Sequence, residues 1–337
     1  MKIDVHAHYV PQPFFDFDAV RDKPDHYAMR IEAGGGVWSQ PPQLSAGFES
    51  EMMWNIERRL RDMDEQGVDM HILSTTPHLF FYNPTSTSRP DVPSIVGMCR
   101  LVNDTIAKTV AQHPGRFVAI ADVPLPDGEA AAAELERTVK DLGFRGAEIC
   151  TNVGGRNLDD RAFFPFYAKA QELDVPIFLH PANVLAAGDR LRDYYLNNFI
   201  GNPTDTAVAA AALIFGGVLK EFPRIKFYLA HGGGSCPYLR GRWEHGYKQR
   251  PEAKQHIQRP PSEYFRQLYF DSLTHSTQTL NYLVESVGPD RIMMGTDYPF
   301  DMGDYTSVKS IAALPHTTEA QKQRMWGDTA QELFRIG

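Results

Sequence analysis

Lys2-Ile3-Asp4-Val5-His6-Ala7-His8 is a short apolar run that finishes in a His-x-His pair. Side chains alternate between the two faces of an extended strand, so His6 and His8 project together while Val5 and Ala7 point the other way. Working outward from this strand, residues 2–5, the chain repeats one pattern. Further apolar runs occupy residues 68–74, 117–121, 146–150, 176–179, 226–230, 269–272 and 291–295. Amphipathic helical patterns lie between them at 54–65, 95–112, 129–141, 163–173, 205–216 and 277–286, with one more at 318–334. Eight strands alternating with helices over 337 residues predict an α/β fold of the (β/α)8 barrel class, as one domain over 1–337. A dinucleotide-binding fingerprint after the first strand is excluded, because residues 4–13 contain no glycine.

Residues 11–50 break the alternation. They mix Gly, Pro and aromatic residues with polar ones, show no long helical period, and include Gly34, Gly35 and Gly36, which read as a flexible run. An insertion after strand 1 overhangs the C-terminal face of a barrel, so the segment is expected to cap the substrate. Its aromatics Phe14, Phe15 and Trp38 read as packing beneath the loop.

Composition excludes several classes of function. With 34 Lys and Arg against 42 Asp and Glu, the formal net charge is −8, which gives no basic field for nucleic acid or an anionic membrane. No apolar run reaches the ~18 residues of a bilayer span. Cys99, Cys150 and Cys236 are odd in number and scattered, so no disulfide framework is expected and a reducing cytoplasm fits. The N-terminus does not read as a signal peptide, whose removal would take the His-x-His strand with it.

Three other strands also end in metal-ligating side chains. The run 176–179 stops at His180-Pro181, and the run 226–230 stops at His231, followed by Gly232, Gly233 and Gly234. The last run leads into Gly295-Thr296-Asp297-Tyr298-Pro299-Phe300. Taken singly, a strand-end His reads as a packing residue and Asp297 as a turn cap. Taken together they differ, because the C-terminal rim of a barrel gathers strand ends, and imidazoles with a carboxylate form a workable shell for a first-row metal. His26, His71, His78, His113, His245, His256, His275 and His316 have no converging partner in this reading.

These motifs, together with Arg61-Asp-Met-Asp-Glu-Gln-Gly67, Phe222-Pro223 and Val287-Gly-Pro-Asp-Arg291, resemble the amidohydrolase superfamily. The resemblance extends over nearly the whole chain and is to the non-oxidative decarboxylase branch, the aminocarboxymuconate semialdehyde decarboxylase-like group. It implies a distorted barrel with one divalent metal, zinc as a rule and manganese as the alternative, held by His6, His8, His180 and Asp297 with a water. His231 would then be the non-ligand histidine that takes and returns a proton. The implied activity is loss of carbon dioxide from an aromatic or unsaturated carboxylic acid in aromatic-compound catabolism, carried out by a homodimer. Hydrolysis of a lactone or hydration of an unsaturated acid at the same metal water is the alternative. For a phenolic acid, the resemblance implies Asp297 as proton donor to the ring.

Departures from the group pattern concern the substrate. Arg242, in Gly241-Arg-Trp-Glu-His245, matches an arginine that meets the substrate carboxylate across the dimer interface. A second arginine of the group aligns near Ser50, where this chain has Phe48-Glu-Ser-Glu51. Serine cannot replace a bidentate guanidinium, so the expected substrate carries one carboxylate. Tyr195 and Ala182 stand where the group has tryptophans, which implies an altered pocket. No lysine lies within 144–150 to bridge two metals; Glu148 is there instead, expected as a hydrogen-bonded buried carboxylate beside a single metal.

Overall fold

Strands buried on both faces must be uniformly apolar, and the eight runs that meet this condition form the eight staves of a parallel barrel. The computed structural model describes every residue except 23–25, 45–50, 83–89, 183 and 185–187. In chain order the strands are β1 (Ile3–His8), β2 (His26–Ala33), β3 (Gly36–Leu44), β4 (Met70–Ser74), β5 (Phe117–Ala119), β6 (Ala121–Asp122), β7 (Ala147–Cys150), β8 (Pro176–His180), β9 (Lys226–Leu229), β10 (Tyr269–Asp271) and β11 (Ile292–Met293). Parallel pairing runs β1-β4-β5 and β6-β7-β8-β9-β10-β11. β5 and β6 are one stave interrupted at Ile120, whose N–H donates to Leu73 O while the Ala121 N–H turns to Gly146 O. The ring closes between its last and first staves. There Val5 N–H donates to Met294 O and Asp297 N–H to His6 O, both at 2.9 Å, and Ala7 bridges Tyr298. Inside the barrel, Phe178 stacks on Tyr228 with ring centroids 4.3 Å apart and meets the His6 ring edge-on.

Helices form where the amphipathic patterns predict them: Ile56–Gln66, Val92–Gln112, Gly128–Asp141, Phe164–Leu173, Asn202–Phe215 and Thr277–Val287. The last predicted helix, 318–334, forms as one continuous helical run of Glu319–Gln323, a wider π turn over Arg324–Asp328, and Thr329–Phe334. Gly327 lets this turn pack closely, since an added Cβ there would stand 2.1 Å from Met1 O. This turn lies directly on the start of the chain. A helix that patterning does not predict, Cys236–Gln249, carries Arg242.

The insertion is more ordered than its composition predicts. β2 and β3 pair as an antiparallel hairpin, and the expected flexible run is a tight turn in which Gly34 and Gly35 both take positive φ. The hairpin lies on helix Val92–Gln112, so closely that a Cβ on Gly36 would meet the Ser94 side chain at 2.6 Å. Trp38, Phe14 and Phe15 are buried in the main core, as the packing reading expects.

One buried cation fixes the end of β1. Arg59 is fully buried, donates to His8 O at 2.5 Å and to His71 Nδ1 at 3.3 Å, and lies over the Tyr298 ring at 4.5 Å. Substituting Arg59→Met would keep the packing but leave the His8 carbonyl unsatisfied. It should cost about 1–3 kcal/mol of stability, measured as a lower urea midpoint at unchanged slope.

Candidate active site

Each of the three strand-borne imidazoles is held by its Nδ1, and that determines what its Nε2 can do. His6 Nδ1 donates to Asp271 Oδ2 at 2.6 Å, His8 Nδ1 to Thr75 O at 2.7 Å, and His180 Nδ1 to Pro181 O at 3.0 Å. With the proton on Nδ1, the Nε2 of each ring presents a lone pair. These lone pairs converge. His6 Nε2 and His8 Nε2 are 3.1 Å apart, and Asp297 Oδ1 stands 3.1 Å from the first, 3.2 Å from the second and 4.0 Å from His180 Nε2. Neither His180 Nε2 nor Asp297 Oδ1 has a hydrogen-bond partner. Four electron-rich atoms facing one another inside a buried pocket repel unless a cation lies among them.

A second proton on His6 can meet the same demand for positive charge. Burial opposes a charge on His6, yet Asp297 and Asp271 outweigh it and push its pKa up to about 10. Burial also works to raise the Asp297 pKa, but His6, His231 and His8 hold it well below the usual carboxylate range. His180 is driven the other way, by burial and then by His8 and His6. The pocket therefore draws positive charge to the place where the four donors meet. Three neutral imidazoles and one carboxylate fit a divalent first-row ion there.

His231 and Asp297 share an unusual backbone. Both are non-glycine residues at φ near +60°, a conformation maintained at functional sites by the structure around it. For His231 the restraint is Asp271, whose carboxylate accepts the N–H groups of His231, Gly232 and Leu273 as well as His6 Nδ1. The following turn tolerates no side chain, since a Cβ on Gly234 would stand 2.3 Å from Pro203 O. His231 Nε2 lies 3.4 Å from Asp297 Oδ2, and its Nδ1 has no partner.

Above these groups opens a cavity of about 510 Å³. His180, His231 and Asp297 form its floor, and its walls include Gln40 and Pro41 of β3, His78, Ala182, Tyr195, Asn198, Asn202 and Phe300. Among the described residues lining it there is no lysine or arginine. Tyr195 is thus at the site, as expected, and so is the insertion. Arg242 is not: it is exposed on helix Cys236–Gln249 and borders a separate depression with Trp243 and Phe215. Ser50 lies outside the described residues.

Two further expectations are corrected. His78 does have partners, since it lines the cavity edge-on to Phe300 and is buried deeply enough to bring its pKa down to about 4. Glu148 is fully buried beside His8 and His180, as expected, but neither of its oxygens is hydrogen-bonded. Asp271 went unread in the sequence, although a carboxylate ending the run 269–272 repeats the strand-end signal that marks the other site residues.

The chain belongs to the amidohydrolase family, whose model matches residues 3–336. The 2-amino-3-carboxymuconate-6-semialdehyde decarboxylase of Dictyostelium discoideum is 31% identical over 350 residues, covering 100% of this chain and 92% of its own. A gamma-resorcylate decarboxylase from Polaromonas is 32% identical over 321 residues, covering 87% and 94%. A solved dihydroxybenzoic acid decarboxylase from Polaromonas, with bound manganese and the inhibitor 2-nitroresorcinol, matches with a TM-score of 0.78 at 27% identity over 99% of this chain and 97% of that one. These relatives are carboxy-lyases, and the solved one carries a divalent metal. Among the described residues, no helix is long and apolar enough to cross a membrane.

Asp271 ties a proposed ligand to His231, so its loss should be felt at both. Asp271→Asn should lower metal affinity about 10–100-fold, read as metal retained after dialysis against a graded chelator series.

Proposed function

We propose that this chain is a metal-dependent non-oxidative decarboxylase of a monocarboxylic aromatic acid with a hydroxyl beside the carboxylate. The observation that carries the reading is the convergence of His6, His8, His180 and Asp297 on one point at the floor of the cavity, with His231 facing the same carboxylate. These four residues would hold the ion, zinc or manganese. When bound, it would supply positive charge that grips the substrate carboxylate and hydroxyl and stabilises the negative charge developing on them.

The remaining work falls to protein side chains. His231 delivers a proton to the ring carbon that bears the carboxylate, which becomes tetrahedral. The carbon–carbon bond then breaks, its electrons return to the ring, carbon dioxide leaves, and His231 regains a proton from solvent through its partly exposed side chain. Asp297 holds the ion and orients His231. We favour His231 over Asp297 as the donor because the surrounding imidazoles keep Asp297 ionised. The neutral amides of Gln40, Asn198 and Asn202 suit hydroxyl or methoxyl substituents, and the wall lacks the cation that a second carboxylate would call for. The insertion serves as a cap through Gln40 and Pro41.

Arg242 faces away from its own cavity, which supports a homodimer in which it reaches substrate from a second copy. Mixing two inactive variants, Arg242→Ala and His231→Ala, should restore measurable turnover if sites are shared, and none if they are not. Three free, buried cysteines fit a cytoplasmic setting.

His231→Ala should keep its metal and lose about 10²–10⁴ in turnover. Carbon dioxide release, measured across hydroxybenzoates and muconates, should be fastest for ortho-hydroxybenzoates. No release from any of them, together with turnover of a lactone or hydration of an unsaturated acid, would overturn the decarboxylase reading.

A further inference from the structure

Most buried carboxyl groups among the described residues are hydrogen-bonded, with Glu148 and Asp122 the exceptions. Asp4 accepts from Thr296, Asp205 from Thr151 and Asn152, Glu134 from Asn103 and Arg137, and Asp271 from three backbone N–H groups and His6. Asp122 does not join the ligating atoms gathered at the proposed metal centre, whereas Glu148 is beside them. Glu148 is 0% exposed and neither of its oxygens makes a hydrogen bond. An unpaired carboxyl in such a place is costly if charged, so a partner for it is expected.

Its position shows what that is. Glu148 projects from β7, next to the stave that carries His180. One of its oxygens is 3.9 Å from His8 Nδ1, and donor atoms of His8, Glu148 and His180 lie within 4.8 Å of one another. Among the described residues no lysine or arginine pairs with the side chain, and it shares its surroundings with two of the four proposed metal ligands.

We propose that Glu148 is a further protein ligand of the metal ion, giving the centre two carboxylates and tilting its preference from zinc towards manganese. This rests on the metal centre described above and adds to it a determinant of metal identity. His6, His8, His180 and Asp297 already supply as many protein donors as zinc ordinarily takes. A fifth donor, and an oxygen, exceeds that number and suits a six-coordinate, oxygen-preferring ion with a position left open for substrate.

The direct test is a crystal structure of the full chain loaded with manganese. A Glu148 oxygen within about 2.0–2.3 Å of the ion is the expected result, and a separation beyond about 3 Å overturns the proposal. The second test measures dissociation constants for Mn2+ and Zn2+ separately, by chelator competition, in the wild type and in Glu148→Gln with its fold checked by circular dichroism. The ratio should move towards zinc by at least about tenfold, and an unchanged ratio counts against Glu148 as a ligand. Should the variant fail to fold, the wild-type distance decides. Wild-type protein that takes up neither ion removes the metal centre itself, whereas one bound ion with Glu148 remote removes only this proposal.

Discussion

Three imidazoles can face one another across about 3–5 Å only if each is prevented from turning a proton inward, and here that is done from behind. Asp271, the carbonyl of Thr75 and the carbonyl of Pro181 take the Nδ1 protons of His6, His8 and His180. The acceptors come from the ends of β10, β4 and β8, and the histidines from β1 and β8, so the arrangement exists only when the ring of staves is closed. Much else follows from it. The ordered lone pairs create the demand for a cation, and the buried guanidinium of Arg59 holds the β1 end at His8 in place.

The same economy governs the proton chemistry. Asp271 holds a proposed ligand with one oxygen and, with both oxygens, the backbone of the turn that displays His231. In the proposed reaction, ion binding and proton delivery would thereby both depend on a single carboxylate that is neither a proposed ligand nor the proposed proton donor. The strained φ values at His231 and Asp297 place their side chains at the cavity floor, and the hydrogen bonds around them offset the strain.

The barrel and the convergence of the proposed metal donors are legible in the sequence for one reason. Parallel staves must be apolar throughout, so a His or Asp at the end of such a run stands out against it. Legibility fades where local chemistry does not repeat. The β2–β3 hairpin is hidden because its strands mix polar and apolar residues and its Gly34-Gly35 turn resembles a loose linker. Helix Cys236–Gln249 is interrupted by Gly241 and Gly246, which blurs its period, and so the outward direction of Arg242 could not be anticipated. His78 belongs to a loop whose approach to Phe300 depends on tertiary contacts alone. The free state of Glu148 could not be read either, since a missing hydrogen bond leaves no trace in a sequence.

The proposed reaction joins one buried cation position to one proton donor acting on a carboxylated ring carbon. The measurement that joins them most directly is turnover of a 2,6-dihydroxybenzoate in deuterium oxide, followed by proton NMR of the product. One solvent deuteron at the vacated ring position for each carbon dioxide released, with the metal-free protein inactive and activity regained on adding Mn2+ or Zn2+, is what the structure predicts. Carbon dioxide release that persists undiminished in the metal-free protein, or a product that retains its carboxylate and gains water, would contradict it.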